Sequence, residues 1–136
     1  MYSTKLSVSI HILSVIALMK QHAITSEDIA SSININPVLV RRLMSRLKKA
    51  KLIDTSTKLG VTGLARKEED ITLLDIFLAV EENPYLFNIH GNTNHECPVG
   101  AKIESTLKRL YDNIQNATEA EMSAITLAEI TKAFIA

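Results

Sequence analysis

Residues 36–53 contain six basic side chains and no acidic one, although the 136-residue chain has a formal net charge of zero. Such a cluster can bind a nucleic acid, because Lys and Arg neutralise phosphates and release counterions. It can equally be the solvated face of a helix, so the surrounding elements must decide between these interpretations. The six residues are Arg41, Arg42, Arg46, Lys48, Lys49 and Lys51.

A second set of chemically capable side chains, His90, His95, Glu96 and Cys97, lies in the segment 84–98. Their types suit zinc, but their spacing matches no standard zinc motif. Cys97 would lie at or just before the start of a long helix, where the helix dipole would lower the pKa of its thiol. A structural cysteine, a redox-sensing thiol and a metal ligand all stay open. Nothing else in the sequence supports a Cys–His catalytic pair.

Charge divides the chain into two halves. Residues 1–67 carry eleven basic and three acidic side chains, a formal charge of +8, whereas residues 68–136 carry four and twelve, a charge of −8. This asymmetry indicates that the first half meets a polyanion and that the second half has another task.

Composition is typical of a globular chain of one compact domain, with 46% hydrophobic and 22% charged residues. One cysteine excludes an internal disulfide and favours a reducing compartment, so we expect a cytoplasmic protein. No signal peptide pattern is present. The longest apolar stretch, 6–19, is shorter than the ~20 residues that span a bilayer.

The elements around the basic cluster are helical. Apolar spacing predicts a mostly buried helix over roughly 4–21 and a short helix over about 26–32, capped by Thr25 or Ser26. A new helix then begins at Asn36-Pro37, because Asn favours the N-cap and Pro the first helical position. This third helix runs to about Ala50. Its inner face is formed by Val40, Leu43, Met44 and Leu47.

A β-hairpin is predicted directly after the basic helix. Residues 52–57 are rich in β-branched side chains and alternate in polarity, which predicts the first strand. Residues 60–63 then supply a turn, and residues 64–66 form the returning strand. A short helix, a tight turn, a basic helix and a hairpin form a winged helix-turn-helix. The fold class is therefore mainly α with a small β-hairpin wing.

The acidic half contains three more predicted helices. Thr72 caps the first, which ends at Asn83-Pro84, and Thr126 caps the last. The long helix between them spans roughly 99–122. Its apolar residues step by four and three, which is typical of a helix that packs along another helix. They are Ile103, Leu107, Leu110, Ile114 and Ala117.

An α-helix fits the DNA major groove, and its N-terminal residues reach base edges. Val38, Arg41 and Arg42 occupy that end of the basic helix, after Asn36 and Pro37. Arg46, Lys48 and Lys49 are better placed for phosphate, and Lys58 at the hairpin tip for an adjacent minor groove.

Residues 25–53, the hairpin and Ile71–Ile76 resemble the Rrf-two (Rrf2) family of bacterial winged-helix transcription regulators. Residues 36–43 and Cys97-Pro98-Val99-Gly100 look closest to its YwnA-type branch. The resemblance covers nearly the whole chain. It implies a homodimer joined through the long helix, and a dyad-symmetric operator read by the helix from Pro37. It also implies that Val38 and Arg41 face bases and that Lys58 is the basic residue of the wing.

Two departures from the family pattern stand out. The wing segment 58–64 lacks the Pro and Tyr usual in the family, which affects how deeply the wing contacts DNA. Cluster-binding members carry three cysteines before the long helix, and only the last, Cys97, is present here. An iron–sulfur cluster needs several thiolates, so we expect no cofactor.

The resulting hypothesis is a sequence-specific DNA-binding regulator, a repressor and not an enzyme. Residues 1–82 form the DNA-binding domain, 83–98 a sensor loop, and 99–136 the dimerisation and C-terminal helices. The alternative is a redox- or ligand-responsive sensor that uses Cys97 and residues 84–98, with DNA binding secondary. A metal site from His90, His95 and Cys97 is a further option.

Overall fold

Within residues 3–19, 24–56 and 60–135, which the computed structural model describes, the regular structure consists of six α-helices, one 3-10 turn and one β-hairpin. The mainly α fold with a small hairpin is therefore confirmed. In chain order the elements are α1 (Lys5–Leu18), α2 (Ser26–Ile33), α3 (Pro37–Lys49), β1 (Ile53–Ser56), β2 (Gly60–Leu64), a 3-10 turn (Glu68–Asp70), α4 (Leu73–Val80), α5 (Ile103–Ala124) and α6 (Leu127–Ile135).

Local capping sets the helix-turn-helix. Thr25 Oγ1 accepts a hydrogen bond from Asp28 N, and Asp28 Oδ2 accepts one from Thr25 N, both at 3.1 Å, so the first turn of α2 is satisfied. Asn34 ends α2 with a left-handed φ of 62°. Asn36 Oδ1 then accepts from Val38 N at 2.8 Å, with Pro37 at the first position of α3. The predicted cap and restart are confirmed.

One hydrophobic cluster connects both halves of the chain. Val40, Leu43 and Leu47 of α3 are fully buried in it, whereas Met44 is half-buried. Leu127 of α6 is fully buried in the same cluster. The helix predicted over 4–21 ends at Leu18, and residues 20–23 lie outside the described part of the chain.

The hairpin is antiparallel and lies against the segment before α2. Ile53 pairs with Leu64, and Val61 forms a single bridge with Ile24 through hydrogen bonds of 3.4 and 3.2 Å. Gly60 has a φ of +78°, and a Cβ there would lie 3.1 Å from the Ile24 carbonyl oxygen, so this position favours glycine.

The chain returns to the core after α5. Leu73 N donates to Ile125 O and Leu127 N donates to Ile71 O, both at 2.8 Å, so the starts of α4 and α6 are joined. No residue of α5 itself is fully buried. The long helix is thus anchored at its C-terminal end.

The predicted start of the long helix at residue 99 is wrong. Residues before Ile103 form consecutive turns, in which Ala101 N donates to Cys97 O. Cys97 N donates to Asn94 O, which stabilises these turns. A Cβ on Gly100 would lie only 2.1 Å from that same oxygen, so no larger residue fits there without a shift. Cys97 therefore precedes α5 by six residues and does not lie at its N-terminus.

Candidate nucleic-acid interface

The exposed face of α3 carries the side chains predicted to read bases. Val38, Arg41, Arg42 and Ser45 are all exposed, and their spacing of three and four residues places them on one side of the helix. The opposite side is fixed in the core by buried apolar residues. The N-terminal half of α3 is therefore a rigid ridge with two guanidinium groups on its outer side.

Free positive charge continues past the C-terminal end of α3. Lys48, Lys49 and Lys51 are exposed, and none of them forms an ion pair within residues 3–19, 24–56 and 60–135. Lys58 lies outside the described residues, so its predicted contact at the wing tip stays a prediction. The three exposed lysines suit phosphate oxygens, which attract unpaired ammonium groups.

Arg46 differs from the other basic residues because its guanidinium group is engaged by the protein. Its Nη1 donates to Val80 O at 2.8 Å, and its Nη2 is ion-paired with Glu82. The Arg46 hydrogen bond and then the charge of Lys5 hold the pKa of Glu82 below its usual value. The structure thus gives Arg46 a role the sequence did not indicate, which is to tie α3 to the end of α4.

The predicted dimerisation stripe on α5 is partly uncovered. Ile103 and Leu107 are half-buried, whereas Ala117 and the larger Leu110 and Ile114 are exposed, the last two by 43% and 44%. Apolar side chains at heptad-like spacing on an open helix face are typical of a surface that packs on another helix.

Residues 84–98 are docked on α5. Gln115 Oε1 accepts from Leu86 N at 3.0 Å, its Nε2 donates to Pro84 O at 2.8 Å, and the Phe87 and Tyr111 rings lie 5.1 Å apart. Sequence reasoning missed this Gln115 contact, because a polar residue on an amphipathic helix carries no signal for a partner 29 or 31 residues away.

Cys97 is exposed at the end of this segment. Hydrogen bonds from the backbone N–H of Gly100, and secondly of Val99, hold the pKa of its thiol below the ordinary value. The lowered pKa that the sequence predicted is present, but it arises from a turn and not from the N-terminus of α5.

The family of this chain follows from comparison with known proteins. A model described as "Rrf2: Iron-dependent Transcriptional regulator" matches residues 2–133. The chain belongs to the Rrf2 family. The resemblance noted in the sequence is confirmed, and this Rrf2 chain is a transcriptional regulator whose helix-turn-helix and hairpin form the DNA-binding winged helix.

Relatives of the Rrf2 chain agree with this assignment. It is 40% identical over 132 residues to the "Putative HTH-type transcriptional regulator YwnA" of Bacillus subtilis (strain 168), covering 96% of each protein. A crystal structure described as "a putative DNA binding protein" is 35% identical with a TM-score of 0.74, over 93% of this chain and 97% of that one. CymR, the global cysteine regulator of B. subtilis, shares the fold at 20% identity and a TM-score of 0.70, over 97% and 96%.

The description of the Rrf2 family names iron, and iron–sulfur clusters are held by several Cys thiolates. This Rrf2 chain has one cysteine in its whole sequence. Across the described ranges, no three His, Cys, Asp or Glu side chains are placed to hold a metal ion, so His90, His95 and Cys97 are not brought together as a site. The residues present do not fit an iron–sulfur cluster.

The described helices also bear on membrane association. None of them is both long and apolar enough to cross a bilayer.

Proposed function

We propose that this Rrf2 protein is a homodimeric repressor that binds a dyad-symmetric operator and has no enzymatic activity. The exposed ridge at the N-terminal half of α3 carries the proposal, since its buried opposite face points Val38, Arg41 and Arg42 outward. In a winged helix-turn-helix this ridge enters the major groove, where Arg reads guanine and apolar groups contact the thymine methyl. Repression then follows from occupancy of the operator.

The parts of the chain take different roles in this proposal. Residues 1–82 bind DNA, with Asn36 and Pro37 placing the start of α3 and the exposed Lys48 and Lys49 neutralising phosphate. Lys58 of the wing is assigned to an adjacent minor groove from the sequence alone. Residues 83–98 are a sensor loop, and 99–136 supply the dimer contact and α6. Binding to the chromosome places the protein in the bacterial cytoplasm.

Replacing Arg41 by Ala should relax base preference, whereas replacing Lys48 by Ala should weaken binding to all sequences. A good bidentate Arg contact discriminates against the wrong base by about 1–3 kcal/mol. Loss of one phosphate contact should instead reduce the slope of log K against log salt by about 1. Gel-shift titrations of each variant on its own promoter region, at several salt concentrations, measure both quantities.

Two results would contradict this assignment. One is binding by the unmodified protein that shows neither salt dependence nor sequence preference. The other is an Arg41 variant that loses affinity equally for every duplex, since that pattern identifies a phosphate contact. Lys132→Ala, which removes one positive charge from an exposed position on α6, is the matched control and should change neither quantity.

A second candidate function is a redox- or ligand-responsive sensor that acts through Cys97. The observation that favours it is the exposed thiol beside two backbone donors, those of Gly100 and Val99, which stabilise a thiolate. Residues 84–87 contact α5 and Cys97 lies in the turns that lead into it, so oxidation of Cys97 would act next to the proposed dimer helix. Mass spectrometry of Cys97 after mild oxidant, with operator affinity of Cys97→Ser, tests this role. Unchanged regulation by oxidant in Cys97→Ser would remove the thiol from the mechanism.

The pH dependence of Cys97 alkylation should show a lower midpoint in the folded protein than in the urea-unfolded chain. A lowered thiol pKa means that the thiolate forms at lower pH in the folded state, and iodoacetamide reacts with the thiolate. Gly100→Ala should raise the folded midpoint, because its Cβ would collide with Asn94 O and open the turn. Equal midpoints in folded and unfolded protein would show that the turn donors do not act on the thiol.

A further inference from the structure

One acidic side chain, Glu27, borders the basic ridge of α3. Residues 1–53 contain only two acids, Glu27 and Asp28. Asp28 has a local task, since its carboxylate completes the N-terminal cap of α2. Glu27 takes no part in that cap, and its Oε1 lies 3.3 Å from Nη1 of Arg41, across the turn between α2 and α3. Its contact is therefore with the residue proposed to read bases.

Glu27 is expected to lower the affinity of this surface for DNA of any sequence. A carboxylate beside a phosphate-binding surface repels the DNA backbone and offsets one of the cations that attract it. The ion pair also contributes little to folding, because 52% of the Arg41 side chain and 67% of that of Glu27 are exposed to solvent. Glu27 also lies in the first turn of α2, where the helix dipole favours an acid. That effect needs no basic partner, whereas the contact with Arg41 bears on specificity.

The geometry leaves one edge of the guanidinium group available. Arg41 Nη1 contacts Glu27 and also lies 3.4 Å from Ser26 Oγ, and Ser26 Oγ donates to Glu27 Oε2 at 3.3 Å. Both contacts of the guanidinium group are made by Nη1, and the third joins their two partners. Within the described part of the chain, Nη2 and Nε of Arg41 have no partner in these contacts, and they carry the remaining N–H donors.

We propose that Glu27 is a positioning residue that holds Arg41 for bidentate recognition of a guanine in each half-site. The carboxylate fixes one edge of the guanidinium group, so the other edge already faces O6 and N7 of the base. The Arg41 side chain then loses less conformational freedom on binding. Where the sequence offers no guanine, the carboxylate repels the backbone and nothing compensates for it. Glu27 thus lowers non-specific affinity and raises specificity. The inference rests on the proposed role of α3 in the major groove.

The test compares affinity for a duplex selected by the wild-type protein from random DNA with affinity for a scrambled duplex of the same composition. Fluorescence anisotropy at one fixed salt concentration gives both dissociation constants. The specificity ratio is the dissociation constant for the scrambled duplex divided by that for the selected duplex. In Glu27→Gln this ratio should fall by about threefold to tenfold, which is less than the discrimination that a full bidentate contact supplies. Binding to the scrambled duplex should tighten. Glu27→Asp keeps the charge but withdraws the carboxylate, so it should lower the ratio without tightening scrambled binding.

A matched control and a double substitution make the test specific. Glu129→Gln removes the same charge from an exposed position in the first turn of α6, outside the proposed DNA-binding surface, and should leave the ratio unchanged. In an Arg41→Ala background, Glu27→Gln should no longer alter the ratio, because a residue that acts through Arg41 has nothing left to position. Thermal melting of each variant checks that the fold is intact.

The outcomes separate this inference from the proposed function. An unchanged ratio in Glu27→Gln, or an equal fall with and without Arg41, would overturn the positioning role while DNA recognition by α3 stands. Wild-type protein that binds selected and scrambled duplexes alike would overturn the proposed function, and the inference with it. That failure is visible before any substitution is made.

Discussion

Replacing Ile114 by Asp should convert the protein to a monomer and abolish operator binding at concentrations where the unmodified protein binds. Ile114 lies on an exposed apolar stripe of α5, so in a monomer the new carboxylate remains in water at almost no cost. In the proposed dimer it would be buried without a partner, which costs several kcal/mol. A dimer that binds both half-sites at once gains about 10²–10⁴ in affinity over one half-site, and a monomer loses that gain. Analytical ultracentrifugation and gel shift measure the two effects.

Asn116→Asp is the matched control for this change. It adds the same charge to α5 at an exposed position about 120° around the helix from Leu110, away from the stripe. We expect it to leave both assembly and DNA binding unchanged. A dimer of unaltered stability in Ile114→Asp would mean that the stripe on α5 is not the contact between subunits.

The helix-turn-helix could be predicted from the sequence because its signals are local. The cap of α2 involves Thr25 and Asp28, three residues apart, and the restart of α3 needs only Asn36, Pro37 and Val38. The burial of Val40, Leu43 and Leu47 follows from helical period. Such features are set by neighbours in the chain, so a pattern in a short window suffices to find them.

The features that escaped prediction depend on distant partners. Arg46 looks like one more phosphate-binding cation, but its contacts are 34 and 36 residues away, at Val80 and Glu82. α5 starts at Ile103 and not at 99, after turns in which Gly100 lies close to Asn94 O. Helical period continues smoothly through such a turn, so composition alone does not reveal it.

Replacing Leu127 by Ala should lower the free energy of unfolding by about 2–5 kcal/mol, although α6 is far from α3 in the sequence. Leu127 is fully buried in the same cluster as Leu43 and Leu47 of α3. Removing its side chain leaves a cavity in the core that holds α3, the proposed recognition helix. The proposed division at residue 82 therefore describes roles, and the two parts share one core.

Urea unfolding followed by circular dichroism gives the stability change of Leu127→Ala, and gel shift at increasing temperature gives its effect on DNA binding. Ile135→Ala is the control on the same helix, because Ile135 is 71% exposed and its loss should change stability by no more than about 0.5 kcal/mol. Binding by Leu127→Ala should fail at a lower temperature, in step with unfolding. If α6 were only an appendage, Leu127→Ala would resemble Ile135→Ala, and the winged helix would melt as before. A coupled loss would instead show that the acidic half stabilises α3, the helix proposed to read DNA.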